Sequence, residues 1–121
     1  MSEFKRHNFK KLKIWQMAME LAKDIFKLTA NFPSSEKFGL TSQMNRCSVS
    51  MPSNIAEGSS RTNKSFSHFL DISLGSSFEL QTQLLLAKSQ EFVDENSAEQ
   101  IENKIEEFQK ATMSFQNTLN Q

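Results

Sequence analysis

Apolar residues recur at alternating steps of three and four through separate stretches of this 121-residue chain. That spacing suits helices burying one side. The last stretch is the cleanest: Ala98, Ile101, Ile105, Phe108, Thr112, Phe115 and Leu119 form one narrow seam, the pattern of a bundle or coiled-coil member. The first is wider. Leu12, Trp15, Met19, Ala22 and Phe26 make one stripe, and Ile14, Ala18, Leu21, Ile25 and Leu28 lie beside it. Two stripes are more than one neighbouring helix needs, which predicts self-association. In the third stretch Phe66, Phe69, Leu70, Ile72 and Leu74 are apolar on several sides, and Leu80, Leu84 and Ala87 resume the inward stripe. Gly75-Ser76-Ser77 interrupts it in mid-helix; small residues there predict a close approach of another helix.

The second stretch carries a proline. Leu40, Met44, Cys47, Met51 and Ile55 keep helical phase straight across Pro52. One helix kinked at Pro52 is therefore preferred over a break at Ser50 with Pro52 in a new first turn. Ser34 or Ser35 can cap its start, and Gly58 can supply a left-handed stop. Thr62 or Asn63 caps the next helix. The chain reads as all-α: an antiparallel up-down-up-down four-helix bundle in a single domain 1–121. A basic arm at 1–10 precedes helices at about 11–31, 35–57, 62–89 and 96–119.

Catalytic and metal-binding patterns are missing from the sequence. The residues three before His7 and His68 are Phe4 and Ser65, so no Glu-x-x-His pair exists. One cysteine, two histidines and three glycines build neither a zinc site nor a phosphate-cradling loop. No enzyme activity, metal or cofactor is expected. Cys47 reads as a small core residue and His68 as a rim residue. A single cysteine fits a reducing compartment. No signal peptide is recognisable, and the longest apolar run, Leu84 to Ala87, is far below the ~20 residues of a membrane span. A cytoplasmic protein with no membrane partner is expected.

Fourteen basic and fourteen acidic residues cancel, but unevenly. Residues 1–61 hold ten basic and five acidic side chains, and residues 62–121 hold four and nine. The halves are +5 and −5. Lys5, Arg6, Lys10, Lys11 and Lys13, interleaved with Phe4, His7 and Phe9, suit phosphates and stacked bases. A solubilising tail with Phe9 packed on the bundle fits the same residues. Arg46, Arg61 and Lys64 are further candidate phosphate contacts. Antiparallel pairing brings Gln43, Arg46, Glu20 and Glu79 toward mid-bundle, as a paired network or as solvated rim charges. Asn54 can serve backbone groups near Pro52. Glu57, at the negative end of its helix dipole, needs a cation, and Arg61 is four residues on. This end of the helix is a turn clamp or a ligand site.

Four quoted stretches carry a resemblance. They are Phe9…Leu12…Trp15-Gln16, "NFPSSEKFGL" (31–40), "SVSMPSNIAEGSSR" (48–61) and "FLDISLGSSFEL" (69–80). Over about residues 9–87 the chain resembles the bacterial four-helix bundle proteins encoded in intervening sequences of large-subunit ribosomal RNA genes. Relatives include the accessory protein of diversity-generating retroelements. The resemblance implies a four-helix protomer, a homo-oligomer (a homopentamer in relatives) and binding to RNA or DNA or to a reverse-transcriptase partner. It implies no enzyme activity. The family pattern falls on Asn54, Glu57, Gly58, Arg61, Gly75, Ser76 and Glu79, with Pro52 inside the central motif. A neutral chain departs from the basic character expected of a nucleic-acid-binding relative. An interaction module without direct nucleic-acid binding is the alternative.

Overall fold

The computed structural model describes residues 7–120. A short 3-10 turn, Phe9–Lys11, leads into α1 (Lys13–Thr29). A second 3-10 turn, Ser34–Glu36, precedes α2 (Leu40–Ser59), and α3 (Asn63–Ser89) and α4 (Glu95–Leu119) follow. Each helix packs on its neighbour in sequence and α4 closes against α1, while α1–α3 and α2–α4 backbones stay apart. This is the four-helix bundle that the apolar spacing predicts. The α2–α3 pair is the most intimate and α1–α4 the loosest.

Burial follows the stripes. Leu21, Ile25, Met44, Met51, Ile55, Phe66, Leu70, Leu80, Leu84, Ile105 and Phe108 are sealed from solvent, each contributing about 1.5–3 kcal/mol. On α1 the Ile14–Ala18–Leu21–Ile25 stripe, Ala22 and Thr29 are buried, and Trp15, Met17 and Leu28 pack against the edge of the core. The other stripe is more open: Trp15 and Met19 are half-buried and Phe26 is 48% exposed. Phe32 stacks on Phe92 (5.6 Å) and His7 on Phe66 (5.3 Å).

Helix ends show where local chemistry departs from the sequence expectation. Thr62 Oγ1 accepts from the Ser65 N–H and caps α3. Asp94 caps α4 by accepting from the Ser97 N–H at 2.8 Å, a bond that holds its carboxyl below the usual range. By contrast, α2 starts at Leu40, five residues later than expected. Ser34 and Ser35 are spent in the 3-10 turn, and the Glu36 carboxylate takes the Leu40 N–H instead. Glu91, φ 63°, occupies the left-handed position after α3. Phe92 N–H reaches back to the Ala87 carbonyl, and Glu91 N–H to Lys88, in a Schellman closure.

α2 runs unbroken across Pro52. The ring is buried, and burial offsets part of the roughly 3 kcal/mol helix penalty. Gly58 is not the expected left-handed stop: no described glycine has positive φ, and the helix continues to Ser59. Hydroxyls of Ser59 and Ser60 take the final carbonyls of Ala56 and Glu57 instead. Gly58 is required by packing. A Cβ there would lie 2.7 Å from Phe66 Cδ1 and 2.7 Å from Phe69 Cβ.

Cys47 is half-buried on the α2 flank rather than sealed in the core. Gln83 Nε2 donates to its Sγ at 3.5 Å, and Glu79 Oε2 lies 3.7 Å away. Burial pushes the thiol above its ordinary 9.0; Glu79 adds to the rise and Gln83 and Arg46 oppose it.

Three outcomes follow from these contacts. Gly58→Ala is expected to destabilise the fold by about 1–3 kcal/mol through overpacking, read as a lower urea midpoint with the slope unchanged. Alkylation of Cys47 near pH 8 should be slower in the folded protein than in the urea-unfolded chain. Above pH 9.0 the unfolded chain releases the thiol proton before the folded one does. Stability therefore falls as pH rises through that range, and Cys47→Ala should remove this component from a pH series of melts.

Candidate functional site

The residues singled out in the sequence occupy two places. The first is the seam between α2 and α3. Gly58 lets the helices close at the turn, and small polar side chains continue the contact. Ser73 Oγ donates to the Met51 carbonyl at 2.9 Å, beside Pro52. Ser50 and Ser76 share a hydrogen bond of 2.9 Å. Asn54 Nδ2 donates to the Ser50 carbonyl (2.8 Å) and to Ser50 Oγ (3.0 Å). Its partner is thus Ser50, not Ser48, whose carbonyl the proline deprives of a donor. Glu57 pairs with Arg61 at 2.7 Å, as the spacing predicts, with both side chains half exposed. The Arg61 guanidinium also lies 5.3 Å from the Phe69 ring centroid. Pro52, Asn54, Glu57, Gly58 and Ser76 therefore work as a structural clamp.

The seam opens beyond Ser76 into a polar cleft of about 470 Å³. Gln43, Arg46, Cys47, Glu79 and Gln83 line it with Ser50 and Ser76. Three of the four polar groups expected together meet here, and Glu20 does not. Glu20 lies on the far side of the bundle with Asp24, where both accept from Lys104 Nζ at 3.2 and 2.9 Å. Those bonds, Asp24 first, hold the Lys104 ammonium above its usual range and clasp the loosest helix pair. Gly75 also departs from expectation. It is exposed, and a Cβ there would meet nothing within 4 Å; Ser73 and Ser76 contact α2 and Ser77 contacts α4 in this stretch.

The second place is the bundle end built by the start of α1, the α2–α3 turn and the close of α4. His7 N–H donates to the Ser59 carbonyl at 3.1 Å, and its ring packs on Phe66 and Phe115. The Lys10 carbonyl accepts from Gln16 Nε2 at 2.9 Å. These contacts strap the described part of the arm across the turn. Lys10, Lys11, Lys13, Arg61 and Lys64 are all exposed at this one end. Only Arg61 of the five has an ion-pair partner among the described residues. Phe9 packs on Trp15 (5.3 Å), so both described aromatics of the arm are engaged by the bundle. Arg46 stands apart, about 20 Å up α2 from the turn at 1.5 Å per residue. Lys5 and Arg6 lie outside the described residues.

The α3–α4 contact is a network that the sequence reading missed. Gln109 Nε2 donates to Ser77 Oγ and Gln81 Oε1, Gln81 Nε2 donates to Glu102 and Glu106, and Gln116 binds Asp71 and the Ser67 carbonyl. Glu102, Glu106, Gln109 and Gln116, stepping by four, three and seven beside the α4 seam, were the available signal. Among the described residues, no three His, Cys, Asp or Glu side chains cluster as a metal site. No helix among the described residues is long and apolar enough to cross a membrane.

Comparison with known proteins places this geometry. No curated protein matches the chain. A crystal structure of a protein of unknown function from the S23 ribosomal protein family of Bacteroides thetaiotaomicron is similar, with a TM-score of 0.79 at 24% identity. The match covers 86% of this chain and 95% of that one and shows a common fold. The family model described as 23S rRNA-intervening sequence protein matches residues 10–114, from the strapped arm through nearly all of α4. The chain belongs to the 23S rRNA-intervening sequence protein family.

Proposed function

We propose that the protein is a non-enzymatic, self-associating four-helix bundle that binds structured RNA or DNA through the basic end of the protomer. One observation carries this reading: five exposed cations from three separate segments, Lys10, Lys11, Lys13, Arg61 and Lys64, gather at one end. Four of them lack an ionic partner among the described residues. Acidic residues concentrate elsewhere, at Glu91, Asp94 and Glu95 on the α3–α4 connection and along α4. The neutral total thus hides a polarised molecule, and local field rather than net charge attracts a phosphate backbone. Phe9 and His7 serve packing, so contact is made to phosphate rather than by stacking on the described arm. Several copies side by side multiply the basic end. The outward apolar stripe of α1 supplies a surface for that association. A ring of five, as the resemblance implies, would have five times the 13.9 kDa protomer mass.

A second reading, an interaction module for a protein partner such as a reverse transcriptase, draws on the exposed apolar side chains. Phe38 is 90% exposed on the loop before α2.

Titration with ribosomal RNA fragments in gel shift separates the two. With four free cations engaged on a duplex, affinity should fall about 100-fold between 50 and 200 mM salt. Lys10→Gln, Lys11→Gln and Lys64→Gln should each flatten the logarithmic salt slope by roughly 0.9. Absence of binding at low salt would leave the protein-partner reading.

A further inference from the structure

The two helical glycines of the bundle differ in what they face. Gly58 is filled by α3; Gly75 faces open space on the outer side of α3. Nothing inside the protomer requires a residue that weakens the helix there. Its neighbours on the same outward side are apolar: Ile72 is 40% exposed, Phe78 51%, Leu85 42% and Leu86 53%. With Thr82 they step by three and four along α3, a continuous uncharged ridge notched at Gly75 and flanked by Asp71 and Glu79.

A second apolar surface lies on another side of the molecule. α1 and α2 enclose a groove of about 330 Å³ lined by Trp15, Met19, Phe26, Val49, Pro52 and Ala56, with Lys23 its one charged lining residue. The α1 and α3 backbones do not meet, so the ridge and groove cannot face one another within a protomer. Between copies they can. Ridge on ridge would bring Asp71 and Glu79 against like charges, and groove on groove would bring Lys23 against Lys23. Ridge in groove sets the anionic flanks beside Lys23 and the acidic half of one copy against the basic half of the next.

We propose that the outward face of α3 in one copy docks in the α1–α2 groove of a second copy, with Gly75 at the point of closest approach. The proposal rests on the self-association read above and specifies its surfaces. The contact is heterologous, so each protomer offers a ridge to one neighbour and a groove to another.

The test uses the full chain in light scattering and circular dichroism. Wild type should be a multimer. Gly75→Ala and the bulkier Gly75→Gln should keep or raise helicity yet weaken assembly about tenfold or more. Phe78→Asp spoils the ridge and Val49→Asp (or Phe26→Asp) the groove. Each should be a folded single protomer alone. Mixed, they should form a species of twice the protomer mass, because each retains the surface the other lacks. Trp15, the sole tryptophan, should report docking as a blue-shifted emission. Wild type that stays a single protomer at high micromolar concentration would sink self-association and this proposal together. A wild-type multimer that Gly75→Gln and Phe78→Asp leave intact would overturn the proposal alone, as would folded single-protomer variants that do not combine on mixing.

Discussion

The closeness of α2 and α3 is the constraint from which the rest follows. At Gly58 the two backbones come so near that a methyl group would strike Phe66 and Phe69. That approach brings Ser73 to the Met51 carbonyl and Ser50 to Ser76. The proline next to Met51 disturbs the helix ladder where α3 lies against it with a polar donor. α2 also carries only two charges, Arg46 and Glu57, and the second is neutralised across the turn. A helix so poor in charge and so rich in small residues suits tight packing on both sides. It packs on α3 along one flank and borders the apolar groove with α1 on the other.

Much of this was legible in the sequence because it depended on period. The α4 seam can be read from Ala98 to Leu119 without error, and all of it is buried except Phe115, which is half-buried. The continuity of α2 across Pro52 was visible because apolar phase does not reset there. What escaped was set by three-dimensional fit. Gly58 stands where a helix-stop glycine would stand, and only the position of Phe66 and Phe69 reveals that it is a packing residue. Gly75 looked equally like a close-approach glycine, yet faces outward. Local sequence cannot tell these two apart, since both sit among small polar residues in helices. The start of α2 was misplaced for a different reason: two serines offered caps, and Glu36, the next residue toward Leu40, took the helix N–H instead. Simple antiparallel register brought Arg46 near Glu79 but misassigned Glu20, because α1 turns that side chain toward α4 and Lys104.

The candidate site divides along the same line. The stretches that carry the resemblance are mostly scaffold: Asn54 ties one turn of α2, Glu57 holds Arg61, and Ser76 joins the helices. Arg61 is both clamp and surface cation. By pairing with Glu57 and lying over Phe69, it is held at the turn where His7 straps the arm. The same packing that fixes the α2–α3 turn therefore fixes where positive charge accumulates.

Each side of the bundle thus has a distinct surface chemistry imposed by how its helices meet. Where α2 meets α3, small residues close the seam and leave a polar cleft at one end. Where α3 meets α4, amides and carboxylates carry the contact. Where α4 meets α1, a single lysine bridges two acids. Among the described residues, most exposed large apolar side chains lie on the outer surfaces of α1 with α2 and of α3, on different sides. A chain that needed solubility alone would place charge there, as α4 does along its outer face. Exposed Phe78, Leu86 and Phe26 are a cost in water that association would remove, and two unlike surfaces would remove it for every copy only if successive copies faced the same way round.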